Sequence, residues 1–205
     1  MTIATAPEDG RDMIAEEDRL RADLYRLLAT LLAKAPTSET LSTAAALGGD
    51  GSDLGEGIAA LATVAAATSP KAVEREYNAL FIGLGRGELL PYASYYLTGF
   101  LNEKPLARLR AHMSEFGIER NPDVKEPEDH IATLCEIMSG LITGEFGEPL
   151  PVEDQHAFFN THIATWASHF FKDLEAAEGS VFYAPVGKIG RAFMEIEIEA
   201  FRMET

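Results

Sequence analysis

Residues 126–141 read EPEDHIATLCEIMSGL. At about 100° per residue, Ile131, Leu134, Met138 and Leu141 fall on one helical face with Cys135 and Ile142 beside them, so that face is core. Pro127 suits a first helical turn, where a missing N–H costs nothing, and Glu126, Glu128 and Asp129 complement the positive end of the helix dipole. On the same wheel Asp129 points away from the apolar stripe. His130 lies at its margin, within reach of a neighbouring helix or an outside ligand. A carboxylate and an imidazole, adjacent where free backbone N–H groups emerge, make this the first candidate site. The plain alternative is a well-started helix and nothing more.

Outward from this segment the helical period recurs. Leu20, Leu24, Leu27, Leu28, Leu31 and Leu32 form a wide stripe ended by Lys34-Ala35-Pro36. From Thr37 to Thr68 the chain turns Ala- and Gly-rich, with GGDGSDLGEG (48–57) between two short helical patches, and weak packing and mobility are expected there. Ser69 as N-cap and Pro70 in the first turn start a helix with Val73, Tyr77, Leu80, Phe81 and Leu84 on one side. GLGRGELLPY (83–92) breaks it; Glu88 and the lack of a preceding strand rule out a dinucleotide-binding turn. PYASYYLTGFL (91–101) is either core or a peptide-binding wall, since dense aromatics serve both. Leu106, Leu109, Met113 and Phe116 mark a helix with Pro105 near its start and Gly117 at its stop. IERNPDVK (118–125) then links it to the opening segment.

Downstream, one long helix is expected over 152–177, with Phe158, Phe159, Ile163, Trp166, Phe170 and Leu174 on its stripe and His162 and His169 at the edge. Seven residues separate these histidines by about 10 Å along an axis, too far to share one ion, so both read as buried or half-buried. Ser180 is expected to cap a last helix carrying Phe182, Val186, Ile189, Phe193 and Ile196. Glu197 falls on that stripe, where burial should fade. MEIEIEA (194–200) alternates like a strand, but its continuity with the stripe favours helix. No other stretch suggests a sheet, and the fold class is all-α.

With 205 residues and 46% hydrophobic content the chain can bury a real core. Its 33 acidic against 17 basic side chains leave a net charge of −16, which disfavours nucleic acid and anionic membrane as partners and favours a basic one. The single cysteine, Cys135, permits neither a disulfide within the chain nor a Cys-based zinc site, and no run is long and apolar enough for a membrane span. Residues 1–12 are polar, expected to be disordered, and lack a signal-peptide core, so the reading is a cytoplasmic protein. Glu153-Asp154-Gln155-His156 is a lone Glu-x-x-His where a di-iron site needs two. Phosphate-loop, zinc-hydrolase and serine-elbow motifs are absent.

In order, EYNALFIG (76–83), PYASYY (91–96), EPEDHIATLCEIMSGL (126–141), HIATWASHFF (162–171) and SVFYAPVGKIGRAF (180–193) resemble the TorD/DmsD family of redox-enzyme maturation chaperones. The resemblance covers about Val73 to Phe193. It implies a single all-helical domain over 1–205, with an N-terminal and a C-terminal helical part joined by a hinge loop near 118–126. It implies a cytoplasmic chaperone, not an enzyme, that binds the twin-arginine leader and the apo form of a molybdopterin oxidoreductase and delays export until the cofactor is inserted. By motif position the leader-binding residues would be Leu80 and Phe81, Pro91, Tyr92 and Ser94, and Glu126, Pro127, Asp129 and His130. This chain has Tyr92 where some members carry Trp. No catalytic residue, metal or required cofactor is implied; weak GTP binding, and a domain-swapped dimer beside the monomer, are.

Two alternatives stand beside it: a helical enzyme using Asp129 and His130 on a small substrate, which a closed pocket around them would favour, and a generic helical interaction module. A groove open along Leu80, Phe81 and Tyr92 would be the wrong shape for the module. Exposed ion pairs contribute about 0.2–1 kcal/mol each, whereas burying roughly 400 Å² of apolar surface is worth on the order of 10 kcal/mol before ordering costs, so apolar burial should set affinity and charge the rate. Asp129, facing away from the core, is expected to matter for binding and little for stability.

Overall fold

The computed structural model describes residues 14–83, 87–120 and 125–203. The segment 1–12, Leu84 and the 121–124 portion of the expected hinge lie outside the described residues. The order is α1 (Glu16–Ala33), α2 (Ser38–Ala45), α3 (Asp53–Ala67), α4 (Pro70–Tyr77), a π-helical turn (Asn78–Ile82), α5 (Ala93–Thr98), α6 (Lys104–Glu115), α7 (Ile131–Thr143), α8 (Val152–His162), α9 (Ala167–Ala176) and α10 (Tyr183–Met203). Among the described residues no strand forms; one isolated antiparallel bridge joins Tyr92 and His130.

α7 is the central element. Almost all of its side chains, from Ile131 to Ile142, are buried, as expected of a helix apolar on nearly every side. It lies against α1, whose Tyr25, Leu28, Leu31 and Leu32 face inward, and α10 packs on α9 and α3. Gly187 and Gly190 let α10 approach α9 closely: a Cβ on either would collide with the Glu175 backbone or the Phe171 ring. α3 lies along α10 with Leu61 fully buried, so the weak packing expected of the Ala-rich stretch is corrected. Its small side chains allow a close helix–helix approach. α3 also begins at Asp53, inside the Gly-rich run, with Ser52 Oγ accepting from Gly55 N–H.

Several local expectations hold. α1 ends at Ala33, Ser69 caps α4 by accepting from Ala72 N–H, and Gly117 takes a positive φ after α6. The 194–200 segment is helical within α10. The single helix over 152–177 is corrected to two. The N–H groups of Ile163 and Ala164 both reach Phe159 O at 2.9 Å, and the Trp166 indole turns back to donate to His162 O at 2.7 Å. His162 is buried against His112, ring nitrogens 2.9 Å apart. Burial, then His112 and Arg108, push its pKa down to about 4. His169 is exposed, which corrects its expected burial.

Two expectations at the last helix are also corrected. Ser180 does not cap it: the Glu76 carboxylate, from the end of α4, accepts from the N–H groups of Val181, Phe182 and Tyr183 at 2.8–3.1 Å. Burial does not fade at Glu197, which is 0% exposed. Arg21 of α1 meets both its oxygens at 2.7 and 3.0 Å, and Tyr25 Oη donates at 2.8 Å. A carboxylate on an apolar stripe is tolerated there because a second helix supplies its partners.

Candidate functional site

The π-helical turn closes on Gly83 N–H, which reaches Asn78 O at 2.7 Å. It turns Leu80 into the core and leaves Ile82 exposed, with Phe81 between, edge-on to Tyr77 at 5.0 Å. The Pro91-Tyr92 segment pairs with the start of α7: Ile131 N–H donates to Pro91 O at 2.8 Å and Ala93 N–H to Asp129 O at 3.0 Å. Motifs 35 or more residues apart in sequence thus meet edge to edge.

Each polar residue of 126–130 then takes a separate task. Asp129 is 0% exposed, and its Oδ2 accepts from Ser94 N–H at 2.8 Å in the first turn of α5. The expectation that Asp129 faces away from the core is corrected. α7 starts two residues later, so a helical wheel does not apply to Asp129. His130 is the true N-cap, its Nδ1 accepting from Ala132 N–H at 3.1 Å. Burial pushes the His130 pKa down to about 4 against the opposing pull of Glu126. The neutral tautomer with Nδ1 as acceptor carries its proton on Nε2. Glu128 turns the other way, to Arg110 and Arg120 at 2.8 and 2.9 Å. Glu126 stays exposed and accepts a short hydrogen bond from Tyr92 Oη, whose ring stands edge-on to His130 at 5.1 Å. Burial and this carboxylate push the Tyr92 phenol up.

An open groove of about 440 Å³ runs over these residues. Phe81, Pro91, Tyr92, Glu126 and His130 line it, five of the nine residues expected at a binding site. Leu80, Ser94 and Asp129 stand behind it, buried, and half-buried Pro127 offers its carbonyl to His130 N–H at 3.2 Å. Tyr77 and Ile82 extend the apolar wall, and Arg26, Ala29 and Thr30 of α1 also line the groove. Glu136 and Glu145 add two exposed carboxylates to Glu126. Sequence reading missed these last residues. Tyr77 and Glu136 lay within the EYNALFIG and EPEDHIATLCEIMSGL motifs and Glu145 follows the Gly144 cap of α7, but Arg26 becomes their neighbour only when α1 docks on α7.

Asp129 and His130 do not form an acid–base pair: one serves α5 and the other α7. Among the described residues no cluster of His, Cys, Asp or Glu could hold a metal, and no helix is long and apolar enough to cross a membrane.

Fold and groove define an all-helical protein with an open, acid-rimmed, aromatic-walled cleft assembled from three sequence motifs. Residues 49–172 match the family model described as nitrate reductase delta subunit, and the chain belongs to that family. Curated relatives include the chaperone protein TorD of Photobacterium profundum, 29% identical over 130 residues, and that of Vibrio atlanticus, 30% identical over 128 residues. The first match covers 60% of this chain and 60% of the relative, so the chain spans about three fifths of that relative's length. A crystal structure of a candidate redox enzyme maturation protein from Archaeoglobus fulgidus superposes with a TM-score of 0.57 at 26% identity, covering 86% of this chain and 94% of that one.

Proposed function

We propose that this chain is a chaperone for the maturation of a molybdopterin-containing oxidoreductase, working in the cytoplasm, and that it takes the twin-arginine leader of that enzyme in the groove. The observation that carries this is convergence: EYNALF, PY and EPEDH, separated in sequence, line one open cleft with three carboxylates, Glu126, Glu136 and Glu145, against one cation, Arg26. The names of the curated relatives support the same reading.

The groove suits a guanidinium chemically. Tyr77 and Tyr92, half-buried on the groove wall, offer aromatic surface able to contribute about 0.5–2 kcal/mol to a stacked cation. Exposed carboxylates add about 0.2–1 kcal/mol apiece and choose the sign of the ligand. His130 Nε2–H adds a fixed donor for a peptide carbonyl. An enclosed-site enzyme would need Asp129 turned toward substrate, and its side chain is committed to Ser94 N–H instead.

The test is calorimetric titration with a synthetic twin-arginine leader peptide and a control in which both arginines are alanine. Micromolar binding, about −8 kcal/mol, that the control loses is the expected result. Equal binding of the two peptides would remove the carboxylates from recognition, and no binding of either would remove the leader.

A further inference from the structure

The turn between α5 and α6 displays an apolar knuckle. Leu97, Phe100 and Leu101 are exposed, Phe100 by 70%, and among the described residues no other five-residue stretch exposes three large hydrophobics. Hydrogen bonds hold it in that pose: Gly99 N–H reaches Tyr95 O at 2.7 Å, and Thr98 Oγ1 donates to Ser94 O at 2.7 Å while accepting from Phe100 N–H at 3.2 Å. Gly99 supplies the left-handed φ of 82° that ends α5. Lys104 and Arg108 follow, exposed and one turn apart on α6, and neither has an ion-pair partner among the described residues. Glu103 is the single acid from 97 to 110. Against a net charge of −16 this is an island of apolar and basic surface.

The groove has the complementary character, with the carboxylates of Glu126, Glu136 and Glu145 beside the apolar surface of Tyr77, Ile82 and Tyr92. Arg26, the cation among its described lining residues, pairs with Asp23 at 3.7 Å. The knuckle cannot fill its own groove. Tyr92 lies at the groove, and α5, about 9 Å long, leads from it to Gly99. Tyr96 pins that helix, its ring against Trp166 and its Oη donating to Asp173 at 2.9 Å. We propose that the knuckle docks in the groove of a second copy of this chain. Because knuckle and groove lie at the two ends of a short helix, two copies related by a two-fold axis can fill each other's grooves at once, in a closed dimer with both sites covered. Net repulsion between two chains of −16 keeps the contact weak, whereas the same field attracts a basic peptide. The dimer is a self-capped resting state that a leader displaces, and it stands on the groove's chemistry whatever the leader's identity.

Sedimentation velocity on the full chain over about a hundredfold range of concentration, with and without a synthetic twin-arginine peptide, tests this. The parent is expected to pass from monomer to dimer as concentration rises and to return to monomer with the peptide. Phe100→Ser, and Lys104→Glu combined with Arg108→Glu, all at exposed positions, are expected to keep the parent's circular dichroism and stay monomeric. At high protein concentration they should bind the peptide about threefold tighter than the parent does, since no copy competes for the groove. Glu126→Gln combined with Glu136→Gln and Glu145→Gln should also stay monomeric. A parent that is monomeric throughout, a dimer that persists in Phe100→Ser, or a Phe100→Ser chain that loses the peptide overturns the proposal; peptide binding by the parent then still supports the leader reading. If the peptide does not bind while the dimer depends on both Phe100 and the groove carboxylates, the self-contact stands and the leader reading falls.

Discussion

The Asp129 carboxylate is sealed from solvent with Oδ2 on Ser94 N–H and Oδ1 unpartnered. Replacing it with alanine strands a buried N–H, at about 1–3 kcal/mol. Asp129→Ala is therefore expected to lower the melting temperature clearly, and Asp129→Asn, which keeps an acceptor, to lower it less. A denaturant series that finds both variants as stable as the parent would contradict this. His130 next door, with His162, makes stability depend on pH. Its folded pKa, pushed to about 4 by burial, lies below the ordinary value near 6.5. Between the two the unfolded chain holds the extra proton, so stability is full above about pH 6.5 and is lost as pH falls toward 4, by up to about 3 kcal/mol. His130→Asn keeps an N-cap acceptor but removes the titration. The fall in melting temperature from about pH 7 to about pH 5 should flatten in this variant, leaving the share due to His162; an unchanged slope would locate the titration elsewhere. In the sequence the pair was legible as a special helix start. The division of labour was not, because it depends on whether the helix begins at 127 or at 131, and the Ser94 N–H that decides this lies 35 residues away.

Helix ends are completed across the molecule. Glu76, at the end of α4, takes three N–H groups at the start of α10 and so fixes the motif-bearing α4 and π-helical turn against the last helix. Glu76→Ala leaves those donors to compete for water in a partly buried corner and is expected to cost about 1–3 kcal/mol, measurable by urea unfolding. If leader binding weakens as well, the turn carrying Phe81 has shifted; if stability does not change at all, the cap is not a structural one. Apolar stripes, the Ser69-Pro70 start and the Gly117 stop were readable because each is local chemistry. Glu197 was misread for the opposite reason: only the docking of α1 brings Arg21 and Tyr25 to it. The break between α8 and α9 was hidden too, since a single stripe continues through both while the Trp166 indole interrupts the backbone ladder.

Over the whole molecule the net charge of −16 acts at distances that no contact list captures. A basic peptide diffusing toward an acid-rimmed cleft feels the summed field, and steered association of this kind is faster by tenfold or more at low salt. Screening shortens that reach: the Debye length is about 30 Å at 0.01 M and about 8 Å at 0.15 M. On the proposed leader reading, aromatic and aliphatic contacts would hold the seated peptide, and these are little affected by moderate salt. The association rate of a twin-arginine peptide, followed by stopped-flow fluorescence, is therefore expected to fall by about tenfold between those salt concentrations while the dissociation rate changes less than threefold. Glu126→Gln, Glu136→Gln and Glu145→Gln combined should remove much of that salt dependence, because they sit where the field is focused by the low-dielectric walls of the groove. If the association rate is indifferent to salt in the parent chain, steering plays no part. If it depends on salt equally in parent and triple variant, the diffuse surface charge steers and the groove carboxylates do not.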